Sequence, residues 1–255
     1  MTEKYNRFSI FMRIAAIMII VYVVLAGISD ILYCLFAVKN IYDIGAAAGF
    51  KYVIGNILAT TPEPLVLFLI LITDIFIAVS LLLRKEKIAG VLLIISAVEI
   101  FAGNILILTL IIIANGSINI STLAHYSIYA ASAILIMLLG ILLICRSKRI
   151  SEVFGIVLTV LFIFAFALIA VSGIVMNGIY IVNNIEALLM HEYYFPKWNV
   201  ILWLIQNVLA LSIIIEGILV LSAYVILSIG KALCKSEPEF YLPNLLTDEE
   251  ISDNN

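Results

Sequence analysis

Charged side chains are scarce in this chain. Only 12% of its 255 residues are Asp, Glu, Lys or Arg, while 65% are hydrophobic. A soluble domain is about a quarter charged and about half apolar, and its surface must face water, so it could not hide this much apolar area. The shortage excludes an ordinary soluble enzyme and a disordered chain. Positive charge is not in excess either. The formal net charge is -3, which leaves no basic surface for nucleic acid. Cysteine is limited to Cys34, Cys145 and Cys234. An odd number at long spacings is neither a disulfide framework nor a zinc site, and these residues read as soft apolar filler near the membrane rims. The two histidines, His125 and His191, have no ligand spacing with each other or with Glu192, so neither a metal nor a haem is expected and no cofactor is assigned. No P-loop, dinucleotide-binding turn or Ser-His-acid order occurs.

What the chain has in abundance is long apolar runs, and its mean hydropathy is +1.23. A helix needs about 20 mostly apolar residues to cross ~30 Å of hydrocarbon. Six runs qualify: 14–38, 65–83, 88–114, 123–145, 153–176 and 200–229. Pro64 stands just before the second, a good first-turn position. Val, Ile and Phe would favour strands in water, but in lipid a helix satisfies its own backbone. The short alternating segments of a β-barrel are absent from the sequence. The expected fold is all-α: a polytopic domain over residues 1–235 with six transmembrane helices, followed by a tail over 236–255.

Lys and Arg set the expected orientation. Lys4, Arg7 and Arg13 precede the first run, Arg84, Lys85 and Lys87 follow the second, Arg146, Lys148 and Arg149 follow the fourth, and Lys231 and Lys235 follow the sixth. That is eleven of the 14 basic residues; the other side has Lys39, Lys51 and Lys197. The bias places both termini in the cytoplasm. The sequons opened by Asn115 and Asn119 fall in a loop expected outside and are the glycosylation candidates, although the loop is short and keeps them near the membrane. The first run resembles a signal peptide in its basic start and small Ala26-Gly27 pair, but it continues apolar to Val38 and reads as a retained anchor.

The loops hold little chemistry. The inner ones, 84–87 and 146–149, are too tight for a nucleotide site. In the outer segment 39–63, Gly45-Ala46-Ala47-Ala48-Gly49 reads either as a short helix on the outer face or as a small-residue loop. A second outer helix is expected over 183–192, followed by Tyr193, Tyr194, Phe195 and Trp198 as an interfacial belt. The tail carries six acids and no Lys or Arg, and reads as solvated. Its segment 240–246 is apolar enough to dock on a protein partner, as are the helix faces. The lipid bilayer is the one partner that composition requires.

Acids inside the runs need an explanation, because charge in lipid is costly. They are Asp30, Asp74, Glu99 and Glu216. At ~1.5 Å of rise per residue, Asp74 stands ~15 Å from Arg84 and Glu99 ~18 Å from Lys87. Both lie near the midplane with Glu216, and Asp30 lies in the outer third. Ser96, Glu99 and Gly103 share a helix face; so do Ser212, Glu216 and Ala223, and so do Ala26, Asp30, Tyr33 and Ala37. Small and polar faces mark helix contacts in membranes, so these acids point into the bundle; the facing of Asp74, among bulky aliphatics, is left open. No Lys or Arg lies inside a run. An unpaired buried carboxylate must be hydrogen-bonded, protonated or bound to a cation. Neutral partners on hand are Ser96, Asn104, Gln206, Asn207, Ser212, Tyr22 and Tyr33.

Two functions fit. One is a small cation- or proton-coupled transporter or channel subunit working through the midplane acids. The other is a non-catalytic subunit of a larger membrane complex, in which each acid glues two helices. Carboxylates converging on a hydrated cavity favour the first; carboxylates facing separate neighbours favour the second. A membrane-embedded enzyme without a readable motif ranks third. The orientation is testable at once. Cysteines placed in 84–87 or 146–149 are expected to react with an impermeant thiol reagent only after the cytoplasmic face is opened, and labelling from outside intact cells would falsify the assignment.

Overall fold

A computed structural model describes residues 2–48, 62–115, 120–145, 147, 150–165, 167–168 and 197–234. The described residues are helical, with no strand among them. The helices are α1 (Thr2–Ala48), α2 (Pro62–Leu82), α3 (Glu86–Asn115), α4 (Ile120–Ile144), α5 (Ile150–Ala165) and α6 (Lys197–Leu233). Four of them contain stretches long and apolar enough to cross a bilayer: Phe8–Leu32, Glu86–Ile113, Tyr126–Ile144 and Ile215–Leu233. Val66–Leu82 and Ile150–Ala165 are shorter apolar helices. Between 22% and 39% of each long stretch is buried. Long and short helices alike turn large apolar side chains outward, among them Phe68, Phe76, Phe101 and Phe164. Such a surface is at home in hydrocarbon rather than water.

Each helix packs on a neighbour in a continuous chain. α4 lies on α3, α3 on α2, α2 on α1 and α1 on α6, with a smaller contact from α4 back to α6. α5 docks on α6, where Phe162 packs against Tyr224 at 5.8 Å between ring centroids and the Thr159 and Ser228 hydroxyls are 2.8 Å apart. Ile19, Ile77, Leu93, Leu142, Phe162 and Leu227 are fully buried between these helices.

Small residues decide how closely the helices approach. A Cβ on Gly90 would stand 2.7 Å from the Gly140 carbonyl oxygen, and one on Gly140 would stand 2.6 Å from that of Gly90. Backbone therefore lies on backbone where α3 starts and α4 ends. Gly155 meets Ala232 and the Ser228 carbonyl in the same way, and Gly230 meets the Phe11 ring. Association in lipid has no hydrophobic drive of its own, so close packing supplies much of the attraction. Helices adjacent in that chain of contacts run antiparallel while α4 and α6 run parallel, and the start of α1, the turn between α2 and α3, the end of α4, the start of α5 and the end of α6 gather at one end of the bundle.

That turn is a Schellman cap. The Lys85 amide donates to the Ser80 carbonyl at 2.8 Å and the Arg84 amide to that of Leu81 at 3.1 Å. The motif needs a left-handed residue and usually takes glycine; here Arg84 adopts it, at φ 57°. The Lys85 carbonyl then accepts from Ala89 at 3.0 Å and opens α3.

The structure extends the first helix beyond its apolar run. α1 begins at Thr2 and continues through 39–48, where the sequence suggested an outer loop or a separate short helix. No proline interrupts those residues, and Ala46-Ala47-Ala48 favours helix. Apolarity marks the part of a helix that suits lipid, whereas the backbone hydrogen bonds carry on regardless of it. The expected helix at 183–192, the aromatic residues 193–195 and the tail 236–255 lie outside the described residues. Trp198 belongs to the first turns of α6.

Two substitutions probe this packing. Gly140→Ala places a methyl against the Gly90 carbonyl and is expected to cost about 1–3 kcal/mol, whereas Arg84→Gly removes left-handed strain and is expected to gain about 1 kcal/mol. Thermal unfolding in detergent should show a lowered Tm for the first and a raised Tm for the second.

Candidate functional site

The four interior acids come from four helices: Asp30 from α1, Asp74 from α2, Glu99 from α3 and Glu216 from α6. Asp74 is 2% exposed and Glu216 8%, while Asp30 and Glu99 are half-buried. The facing of Asp74, which its aliphatic neighbours left open in the sequence, is thus inward.

The acids fall into two groups. Between α1 and α6, the Ser29 hydroxyl donates to Glu216 Oε1 at 2.7 Å and lies 2.8 Å from the Ser212 hydroxyl. A hydroxyl has one proton to give, so with Ser29 committed to the carboxylate, Ser212 donates to Ser29. Between α2 and α3, the Thr73 hydroxyl donates to Glu99 Oε1 at 3.0 Å. Asp74 lies within electrostatic range of Glu99 and within hydrogen-bonding range of the Ser96 hydroxyl. Asp74 Oδ1 and Glu99 Oε2 accept no hydrogen bond of normal geometry, and an interior polar atom left this way costs about 1–3 kcal/mol.

Two tyrosines stand between the groups. Tyr22 on α1 is within electrostatic range of Asp74, Glu216 and Asp30. Tyr224 on α6, 3% exposed, is within range of Asp74 and Tyr22. The cluster is thus one polar region bounded by α1, α2, α3 and α6. All its described members are carboxyls or hydroxyls, so they bond hard cations and protons in preference to soft metals. Among the described residues no group of three or more His, Cys, Asp and Glu side chains is arranged to hold a metal ion. Cys34, Cys145 and Cys234 are not disulfide-bonded.

A buried cation is engaged at one end of the bundle. Lys231, 9% exposed near the end of α6, forms an ion pair with Glu86 in the first turn of α3, and its ammonium lies 5.7 Å from the centre of the Phe8 ring on α1. This clasp ties three helices together at the end of the bundle that holds the α2–α3 turn.

Of the supporting residues named from sequence, Ser96 adjoins Asp74, and Ser212 joins the Ser29–Glu216 group. Asn104 is half-buried on α3 with Nδ2 unpartnered. The side chains of Gln206, Asn207, Tyr33, Asn115 and His125 lie outside what the structure describes, as do residues Asn119 and His191. The residues that sequence reasoning missed are Ser29, Thr73 and Tyr224. Ser29 and Thr73 directly precede Asp30 and Asp74. Neighbours in sequence point about 100° apart on a helix, so a search along one face passes over them, although each serves an acid on another helix. Hydroxyls adjacent to intramembrane acids were the available signal.

Comparison with known protein families, characterised proteins and solved structures finds no match for this chain.

Removing one hydroxyl tests the α1–α6 group. Ser29→Ala deprives Glu216 of its donor and is expected to lower stability by about 1 kcal/mol. In a double-mutant cycle with Glu216→Ala the two losses should be less than additive; full additivity would show that the bond carries no coupling.

Proposed function

We propose that this chain is a multi-pass membrane protein that moves protons or small cations across a cell membrane, as a small transporter or channel subunit. In this reading all six helices span the bilayer. The end of the bundle with the α2–α3 turn faces the cytoplasm, in line with the distribution of Lys and Arg. Asp74, Glu99 and Glu216 line the path, and Asp30 stands toward its outer end.

One observation carries the proposal. Asp30, Asp74 and Glu216 lie within electrostatic range of Tyr22, and Glu99 within that of Asp74, in an apolar interior whose apolar runs contain no Lys or Arg. Negative charge in low dielectric is tolerated when a proton or cation accompanies it. Structural glue needs a partner for every acid oxygen, and Asp74 Oδ1 and Glu99 Oε2 have none of normal geometry.

A second reading has its own support. Ser29–Glu216 joins α1 to α6 and Thr73–Glu99 joins α2 to α3, as expected of a subunit whose acids hold a bundle together within a larger complex.

Glu99→Gln and Glu216→Gln separate the two. An amide keeps the shape but neither releases a proton nor neutralises a cation. In reconstituted vesicles both variants are expected to remain folded and to lose at least about tenfold of cation- or pH-dependent flux, the equivalent of about 1.4 kcal/mol. Wild-type flux that survives both substitutions excludes the carboxylate path. Absence of flux together with unfolding of either variant favours the structural reading.

A further inference from the structure

The turn from α2 into α3 carries Arg84, Lys85, Glu86 and Lys87. Glu86, its one acid, is half-buried and paired with Lys231 of α6. That pair is neutral as a unit, so Arg84, Lys85 and Lys87 remain as three positive charges. All three are exposed, and none forms an ion pair among the described residues. The backbone marks the same place. Arg84 holds the left-handed position of the Schellman cap at φ 57°, where glycine would sit without strain. A strained residue that is not glycine points to a use for its side chain.

Apolar side chains flank these charges. Leu83, just past the end of α2, is 60% exposed, and Ile88 and Val91 on the first turns of α3 are 47% and 49% exposed. Val91 follows Lys87 by four positions, so the two share a helix face. α2 ends at Leu82 and α3 opens at Glu86. So short a link cannot carry its cations far from the helix ends. We infer that this turn is a binding site for an acidic phospholipid, with Arg84, Lys85 and Lys87 on the anionic headgroup and the acyl chains along Leu83, Ile88 and Val91.

The surface selects both parts of such a lipid. Phosphate takes a planar fork of donors from Arg and a point charge from Lys. A zwitterionic lipid brings a cation of its own and gains less from the turn. A soluble anion or an acidic protein would leave the apolar flank facing water. Acidic lipid is enriched in the cytoplasmic leaflet, the side proposed above for this end of the bundle. The Lys231 pair takes part as well: by holding Glu86 it keeps a carboxylate from competing for the three cations. The inference needs the bundle to lie in a bilayer and does not depend on ion movement through it.

The test titrates the full chain in detergent micelles with phosphatidylglycerol or phosphatidylcholine. The first bound lipid is read by native mass spectrometry, and the Tm is recorded alongside. Wild-type protein is expected to bind phosphatidylglycerol at least about tenfold more tightly, a preference that erodes as ionic strength rises. Arg84→Gly, Lys85→Gln and Lys87→Gln should each weaken phosphatidylglycerol about fivefold and leave phosphatidylcholine unchanged. Arg84→Gly should do so while its Tm rises, a combination that a merely structural role cannot give. Lys231→Met frees Glu86 and should also weaken phosphatidylglycerol, and adding Glu86→Gln should restore it. If Lys231→Met does not fold, the three turn variants carry the test. Lys197→Gln, at the opposite end of α6, is the control for lost charge and should bind as wild type. Equal binding of the two lipids overturns the inference. So does a preference that survives the three turn substitutions combined, or one that Lys197→Gln lowers as much as Lys87→Gln does.

Discussion

Carboxyls set in an apolar bundle whose apolar runs contain no Lys or Arg are the constraint on which the rest depends. Each demands oxygen or hydrogen partners from a neighbouring helix, since the hydrocarbon outside supplies none. Ser29 and Thr73 meet part of that demand, and in doing so they fix α1 against α6 and α2 against α3. Lys231 meets the same demand at the end of the bundle, where its ammonium pairs with Glu86 and lies against the Phe8 ring.

Packing makes that arrangement sustainable. Where Gly90 and Gly140 let two backbones touch, α3 and α4 form a tight hairpin, and the Schellman turn at Arg84 sets the direction of α3 against α2. Farther along, Gly103 on α3 faces Val66 on α2 so closely that an added Cβ would stand 2.3 Å from its Cγ1. Close packing thus brackets the acids of α2 and α3 on both sides, and Glu99 lies about one turn from Gly103.

The helices were legible because apolar run length and charge position answer to a single physical demand, that of the bilayer. Their ends were less so: α1 reaches Thr2 and Ala48 because hydrogen bonding along the backbone continues where hydropathy falls away. Within the site, the acids announced themselves by being costly; on their small-residue faces Glu216 is buried and Glu99 half-buried. Their partners were harder to read. Ser29 and Thr73 lie beside Asp30 and Asp74 in sequence, yet they bond Glu216 and Glu99, because packing angle rather than spacing along one helix decides which hydroxyl meets which acid. The Lys231–Glu86 pair was hidden for a related reason: 145 positions separate its members, and both read as ordinary charges at a membrane rim.

α1 has 47 residues. As an unbroken helix it measures about 70 Å, more than twice the ~30 Å thickness of the hydrocarbon. A rod of that length in so thin a slab must stand well clear of it. Tyr22 and Ser29 are mounted partway along that rod, and Phe8 near its start takes part in the Lys231 clasp. The tilt of that one rod and the position of Ser29 against Glu216 are therefore set together.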